Sequence, residues 1–176
     1  EAEEKPAAVK EAVSKTAFDG GLGRVICVCA AADEGVITTI IGEEPELLVG
    51  LHGWLERATH GNHGPASVVG HNVAWDVRFL WQRYIVNNIK PPRAIVAASR
   101  AKPWDIEDTM HLWNPERDRK ISLDRLCKAL HIPWSKGELE GSKVWDYFRA
   151  GRINESADYC RADVEAMRAC HQRMVA

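Results

Sequence analysis

One stretch restricts the fold more than any other: Val68 to Leu80, which reads VVGHNVAWDVRFL. It opens as a short β-branched run, the pattern of a buried strand. Gly70, His71 and Asn72 then interrupt it with turn chemistry. From Val73 onward the apolar residues fall at Val73, Val77, Leu80 and Trp81, which is helical spacing. The stretch is therefore a strand, a tight corner and a helix, with one carboxylate, Asp76, in the helix's first turn. On its own, an acid there is an ordinary complement to the helix dipole.

The rest of the chain supplies partners for such a unit. Glu1 to Ala17 has helical composition without breakers, so residues 1–18 read as a helical lead-in ended by Asp19-Gly20-Gly21. Arg24 to Ala31 (RVICVCAA) and Val36 to Ile41 (VITTII) are strands joined by the turn Ala32-Asp33-Glu34-Gly35, an antiparallel hairpin. Glu44-Pro45-Glu46 opens a helix with acids and a proline in its first turn, and Leu47, Leu48, Leu51, Trp54 and Leu55 give it an apolar face. His60 and His63 sit in a Gly-rich loop of the kind that is usually a surface turn. Ala94 to Ala98 (AIVAA) reads as a short strand, and Pro103 to Met110 leads into a short helix. Ser122 is placed to cap a helix carrying Leu123, Leu126, Cys127 and Leu130 on one face. Lys143 to Ala150 and Asn154 to Met174 complete the helices. A hairpin followed by strands alternating with helices predicts one α/β domain over residues 1–176, a mixed sheet flanked by helices.

Composition narrows the function only a little. The formal net charge of -2 names no partner. Its distribution is uneven, however: Val73 to Trp104 holds six basic residues and a single acid, a stripe able to follow a phosphate backbone or simply to face water. The five cysteines show neither a CxxC pair nor zinc-like Cys/His spacing, which fits reduced thiols in a cytoplasmic protein. No apolar run reaches membrane-spanning length, so no membrane partner is expected.

A second acid sits on the last helix. Tyr159 and Asp163 are four residues apart and share one face, one turn from each other. A hydroxyl in that position can orient water beside a metal held by the carboxylate. A packed Tyr with a solvated Asp has the same spacing.

These two segments carry a family resemblance. VGHNVAWDVRFL resembles the second motif of the DEDD 3'-5' exonucleases, DnaQ-like members of the ribonuclease H-like superfamily. Tyr159-Cys160-Arg161-Ala162-Asp163 resembles the third motif in its YxxxD form, the mark of the DEDDy subgroup. Asp108-Thr109-Met110, ISLDRLCKAL (121–130) and KGELEGSKVWDY (136–147) resemble the connecting elements of the predicted PolB-like members. The resemblance implies a ribonuclease H-like mixed sheet and two Mg2+ or Mn2+ ions with Asp76 and Asp163 among their ligands. It also implies hydrolysis of phosphodiesters from single-stranded DNA 3' ends, with RNA as the alternative substrate, and association with replication or repair proteins. Tyr159 would orient the attacking water, since a phenol with a reference pKa of about 10 is a poor base at neutral pH. His71 and Asn72 would support the corner and the substrate strand, or serve only to close the turn. The loop holding Lys136 and Ser142 can contact phosphates or be an ordinary surface turn. Trp75, Trp104, Trp113, Trp134 and Trp145 can stack bases or fill core.

One departure matters. The family's first motif, a DxE on a strand before the hairpin, has no counterpart: Asp19 is followed two residues later by Gly21, and Glu1, Glu3 and Glu4 lie in a helix-like segment. The sequence reads as one that starts downstream of that strand, whose neighbours would carry open edges. Two carboxylates and a Tyr are too few ligands for two hard cations. The expectation is therefore an exonuclease domain that binds metal weakly and cuts poorly or not at all as the chain stands, or a catalytically degenerate ribonuclease H-like module that binds nucleic acid or protein.

Overall fold

The computed structural model describes residues 16–59, 67–102, 106–116, 120–134 and 141–176, the Ser142 side chain excepted. The hairpin forms as expected but shorter, with β1 (Cys27–Ala30) antiparallel to β2 (Thr38–Ile41) and Cys27 opposite Ile41. Helix α1 (Glu44–Thr59) follows, its proline in the first turn where no amide hydrogen is needed. It buries Leu47, Leu48 and Leu51 on one face.

The corner then runs from β3 (Val69–Gly70) into α2 (Val73–Val86). Asp76 lies in the first turn of α2, as the spacing predicted. The segment after it departs from expectation. Ala94 to Ala98 is not a strand but the middle of helix α3 (Arg93–Arg100). Pro92, extended at φ -63 and ψ 154, starts the helix, and alanines flanking only two β-branched residues leave helix the better local choice. The strand on that side is β4 (Glu107–Asp108), parallel to β3 with Val69 opposite Glu107 and Gly70 opposite Asp108. Among the described residues, three short helices complete the fold around a long one: α4 (Thr109–Trp113), α5 (Leu123–Ala129), α6 (Val144–Arg149) and the long α7 (Ile153–Val175).

The expected continuous mixed sheet is, among the described residues, two separate pairs, β1–β2 antiparallel and β3–β4 parallel. Strands of two to four residues leave little ladder, and none of the described strands joins β1 to β3. Helix α7 spans the interval, packing on β1, β2 and β3 and on α4, α5 and α6.

Three apolar clusters hold this arrangement. The largest joins Val25, Leu47, Leu48, Leu51, Phe79, Tyr84 and Ile95. The Tyr84 hydroxyl donates to the Leu48 carbonyl at 2.7 Å, so that core tyrosine buries no orphan donor. A second cluster, Leu126, Cys127, Ala166 and Cys170, glues α5 to α7. The third, Val73, Val77 and Ile106, seats the start of α2 against the approach to β4. One ion pair is buried among them. Glu44 receives the Nε and Nη2 hydrogens of Arg83 at 2.9 and 2.7 Å, the Val25 amide at 2.7 Å and the Asn87 side-chain amide at 3.0 Å. Burial alone would raise the Glu44 carboxyl, but these donors and the Arg83 charge outweigh it and hold the group below its ordinary range.

Candidate active site

The corner depends on backbone geometry few residues tolerate. A Cβ on Gly70 would lie 2.4 Å from the Val73 Cβ, so only glycine lets the helix begin this close to the strand. Asn72 takes the left-handed conformation, φ 58 and ψ 30, which asparagine accepts more readily than most residues. Its side chain makes no capping hydrogen bond. The corner is fixed instead from outside, by residues at the end of β4.

Asp108 is almost fully buried, and its Oδ1 accepts the amide hydrogens of Asn72 and Met110, both at 2.9 Å. Thr109 Oγ1 lies 3.1 Å from the Gly70 carbonyl and 2.9 Å from His71 Nδ1, and its single hydrogen is shared between these two acceptors when the ring is neutral. His71 Nε2 reaches the Ile121 carbonyl at 2.9 Å. Carbonyl oxygens only accept, so Nε2 carries a proton in this arrangement. Both His71 nitrogens are thus committed to protein partners, and contact with a substrate strand would require breaking one of these bonds. Burial lowers the His71 pKa, while the bond to Ile121 and the charge of Asp108 pull it back up. Asp108 and Thr109 are the residues that sequence reasoning treated only as a connector. An Asp-Thr pair immediately before a short apolar helix carries a capping signal, and Asp108 is indeed the N-cap of α4.

Asp76 projects from the corner so held. The residue as a whole reaches solvent. Its carboxyl nevertheless loses enough hydration to the surrounding protein to be pushed up to about 6, and the negative charge of Asp108 adds to that shift. Two acids crowding one corner make a local field that favours a cation. The same first turn presents aromatic surface: Trp75 stacks on Phe79 at 5.1 Å and meets Phe18 edge-on at 6.1 Å, while staying 40% exposed.

Tyr159 and Asp163 lie on α7, both half-buried, one turn apart. The charge of Asp163 reaches Cys127 on α5 and helps raise that thiol, after burial. The perturbing acid at Asp76 is Asp108 rather than Asp163. Between Tyr159 and Asp163, Arg161 donates to Thr39 Oγ1 on β2 at 2.7 Å, and Cys29 on β1 donates to the Ala157 carbonyl at 3.6 Å. These contacts fix that part of the helix against the hairpin. Lys136, His60 and His63 fall outside the described residues, as does the Ser142 side chain.

The donor chemistry at the corner suits hard divalent cations, since carboxylate oxygens are their preferred ligands. The number of donors does not suit two such ions. Among the described residues, no group of three or more His, Cys, Asp or Glu side chains is arranged to hold a metal.

A carboxylate-bearing helix start, clamped to a short parallel β pair and joined by a long helix with a Tyr/Asp pair, defines an α/β domain with an acidic corner. The chain belongs to the family described as predicted 3'-5' exonuclease related to the exonuclease domain of PolB, whose model matches residues 24–168. It is thus an enzyme by family, among nucleases whose substrates are nucleic acids and which generally use divalent metals. No curated protein and no solved structure matches it. Among the described residues, no helix is long and apolar enough to cross a membrane.

Proposed function

We propose that this domain is a DEDDy-type 3'-5' exonuclease unit acting on single-stranded DNA ends, with Asp76 and Asp163 contributing metal ligands and Tyr159 holding water. The observation that carries the reading is the placement of Asp76 in the first turn of α2, at the corner clamped by Asp108, in a chain whose family match spans residues 24–168. A carboxylate beside a second acid is stabilised by a nearby cation. When bound, divalent cations would activate water and stabilise the leaving oxygen of a phosphodiester. The described side chains supply too few ligands for a pair of such ions. Asp76, Asp163 and Tyr159 by themselves therefore support weak cutting or none, and an acidic strand of D-x-E pattern would complete the set. His71 and Asn72 serve the substrate indirectly, through the corner, while Lys136 and Ser142 remain candidates for phosphate contact.

The scarcity of ligands favours a second reading, a degenerate ribonuclease H-like module that binds nucleic acid without cutting it. One experiment separates the two. A 5'-labelled oligonucleotide is incubated with Mg2+ or Mn2+ and three proteins: this chain, a version extended by a D-x-E strand, and that version with Asp76→Ala or Asp163→Ala. A 3'-5' ladder from the extended protein alone, lost in both variants, supports the exonuclease. An inert extended protein that still binds the oligonucleotide defeats it in favour of the binding module.

A further inference from the structure

Beside the clamp lies an open recess of about 420 Å3, lined by Trp113, Asn114, Lys120, Ile121, Arg125 and Ala129. Its volume is in the range of small-ligand sites, roughly 300–1,000 Å3. Three properties of the lining point to one kind of occupant. Trp113 closes α4 and is 44% exposed, so much of its ring is open to a stacking partner. Lys120 and Arg125 are exposed cations, and neither side chain forms an ion pair with the described residues. Among the described residues, no acid lines the recess. The neighbouring Asp124 is already bound by Lys128 at 2.8 Å, which removes it as a competitor for Arg125. Ile121, Arg125 and Ala129 recur every four residues, so the floor is one stripe of α5 and the turn before it.

We propose that this recess binds one nucleotide unit of a single-stranded nucleic acid, its base against Trp113 and its phosphate between Lys120 and Arg125. An aromatic face beside two exposed cations is the combination that single strands require, because every base has a π-face and every linkage a negative charge. The recess is also coupled to the acidic corner. Its Ile121 carbonyl is the acceptor for His71 Nε2 at 2.9 Å, so a nucleotide seated there rests on the wall that orients the strand-to-helix turn of Asp76. The inference rests on the nuclease reading and deepens it by naming where the strand is gripped away from the cut.

The test is binding without cleavage. A 5'-fluorescein oligothymidylate is titrated with the full chain in EDTA, followed by anisotropy at several salt concentrations, alongside Trp113→Ala and the pair Lys120→Gln/Arg125→Gln. Trp113→Ala weakens binding about ten-fold with an unchanged salt dependence. The charge pair lowers the slope of log K against log salt by about 0.7, one phosphate neutralised on a single strand. All three side chains are exposed or partly so, and unchanged circular dichroism melts exclude a folding defect. Variants that bind like the parent overturn this inference and leave the nuclease reading standing. Displacement of the oligonucleotide by an acidic peptide at equal charge overturns it in favour of a protein ligand. A parent chain that neither binds the oligonucleotide nor, once extended by a D-x-E strand, cuts it refutes the nuclease reading and this inference together.

Discussion

Asp108→Ala should damage the protein far more than Asp108→Asn, and the gap between them isolates what holds the corner. Asp108 has 1% of its side chain exposed, and Oδ1 carries two amide bonds of 2.9 Å, to Asn72 and Met110. Removing the carboxylate leaves the Met110 amide buried without its acceptor, whereas the Asn72 amide belongs to an exposed residue and can find water. Hydrogen bonds to charged acceptors contribute about 1.5–3 kcal/mol each, and a lost N-cap costs about 1 kcal/mol. Allowing for re-solvation at Asn72, the alanine variant should lose about 2–4 kcal/mol. For a chain of this size that lowers Tm by roughly 4–16 °C. Asparagine keeps the acceptor at Oδ1. It also places an amide where Oδ2 now lacks a hydrogen-bond partner, facing His111 Nδ1 at 3.8 Å, another buried atom without one. Its loss should stay under about 1 kcal/mol. Urea unfolding followed by circular dichroism reads the stability, and hydrogen exchange at the Asn72 amide reads the corner directly. If asparagine proves as harmful as alanine, the buried charge rather than the amide bonds holds the turn, and the clamp as described is wrong.

Four further outcomes are expected. Arg83→Met strands the Glu44 carboxylate, which is 5% exposed, and should cost about 3–5 kcal/mol in urea unfolding; a loss below 1 kcal/mol would show that water reaches the site. Because the folded state holds the Glu44 carboxyl below its ordinary value, its contribution is present above the unfolded pKa and is lost as pH falls through the folded one. Glu44→Gln should flatten that acid limb of the stability profile. Asp76 behaves oppositely: with its carboxyl pushed up to about 6, the native state binds more protons than the unfolded chain between about pH 4 and 6, so this group's contribution declines as pH rises. Asp76→Asn should therefore raise Tm at pH 7 relative to pH 4, and superimposable shifts at both pH values would contradict the assignment. Burial places the His71 midpoint below about 6.5, so its share of stability is complete above that pH and lost on acidification; NMR titration of the ring protons reads it directly.

Much of the fold was readable locally. The β-branched hairpin strands, the Glu-Pro-Glu helix start, the Ser122 cap and the long last helix follow from propensity and periodicity, signals carried within a few residues. The cap is observed, with Ser122 Oγ accepting the Arg125 amide at 3.4 Å. Local signals failed where elements are shortest. AIVAA has the composition of a strand and the neighbourhood of a helix, and two-residue strands such as β3 and β4 exist only through each other. Glu107 and Asp108, both polar, would not be chosen as a strand by any propensity.

The sequence by itself determined the family and the corner: glycine before a helix, asparagine in a left-handed turn, and Asp76 one turn in. Those are properties of neighbouring residues, written in order along the chain. Tertiary structure alone decided what grips that corner and what perturbs its acid. Asp108, Thr109 and the Ile121 carbonyl lie 36 to 50 residues away from the groups they bond. Trp113, Lys120 and Arg125 likewise become a recess only when α4 and α5 are brought side by side. Burial, shared charge and hydrogen bonds between distant segments depend on packing, and no local pattern encodes them.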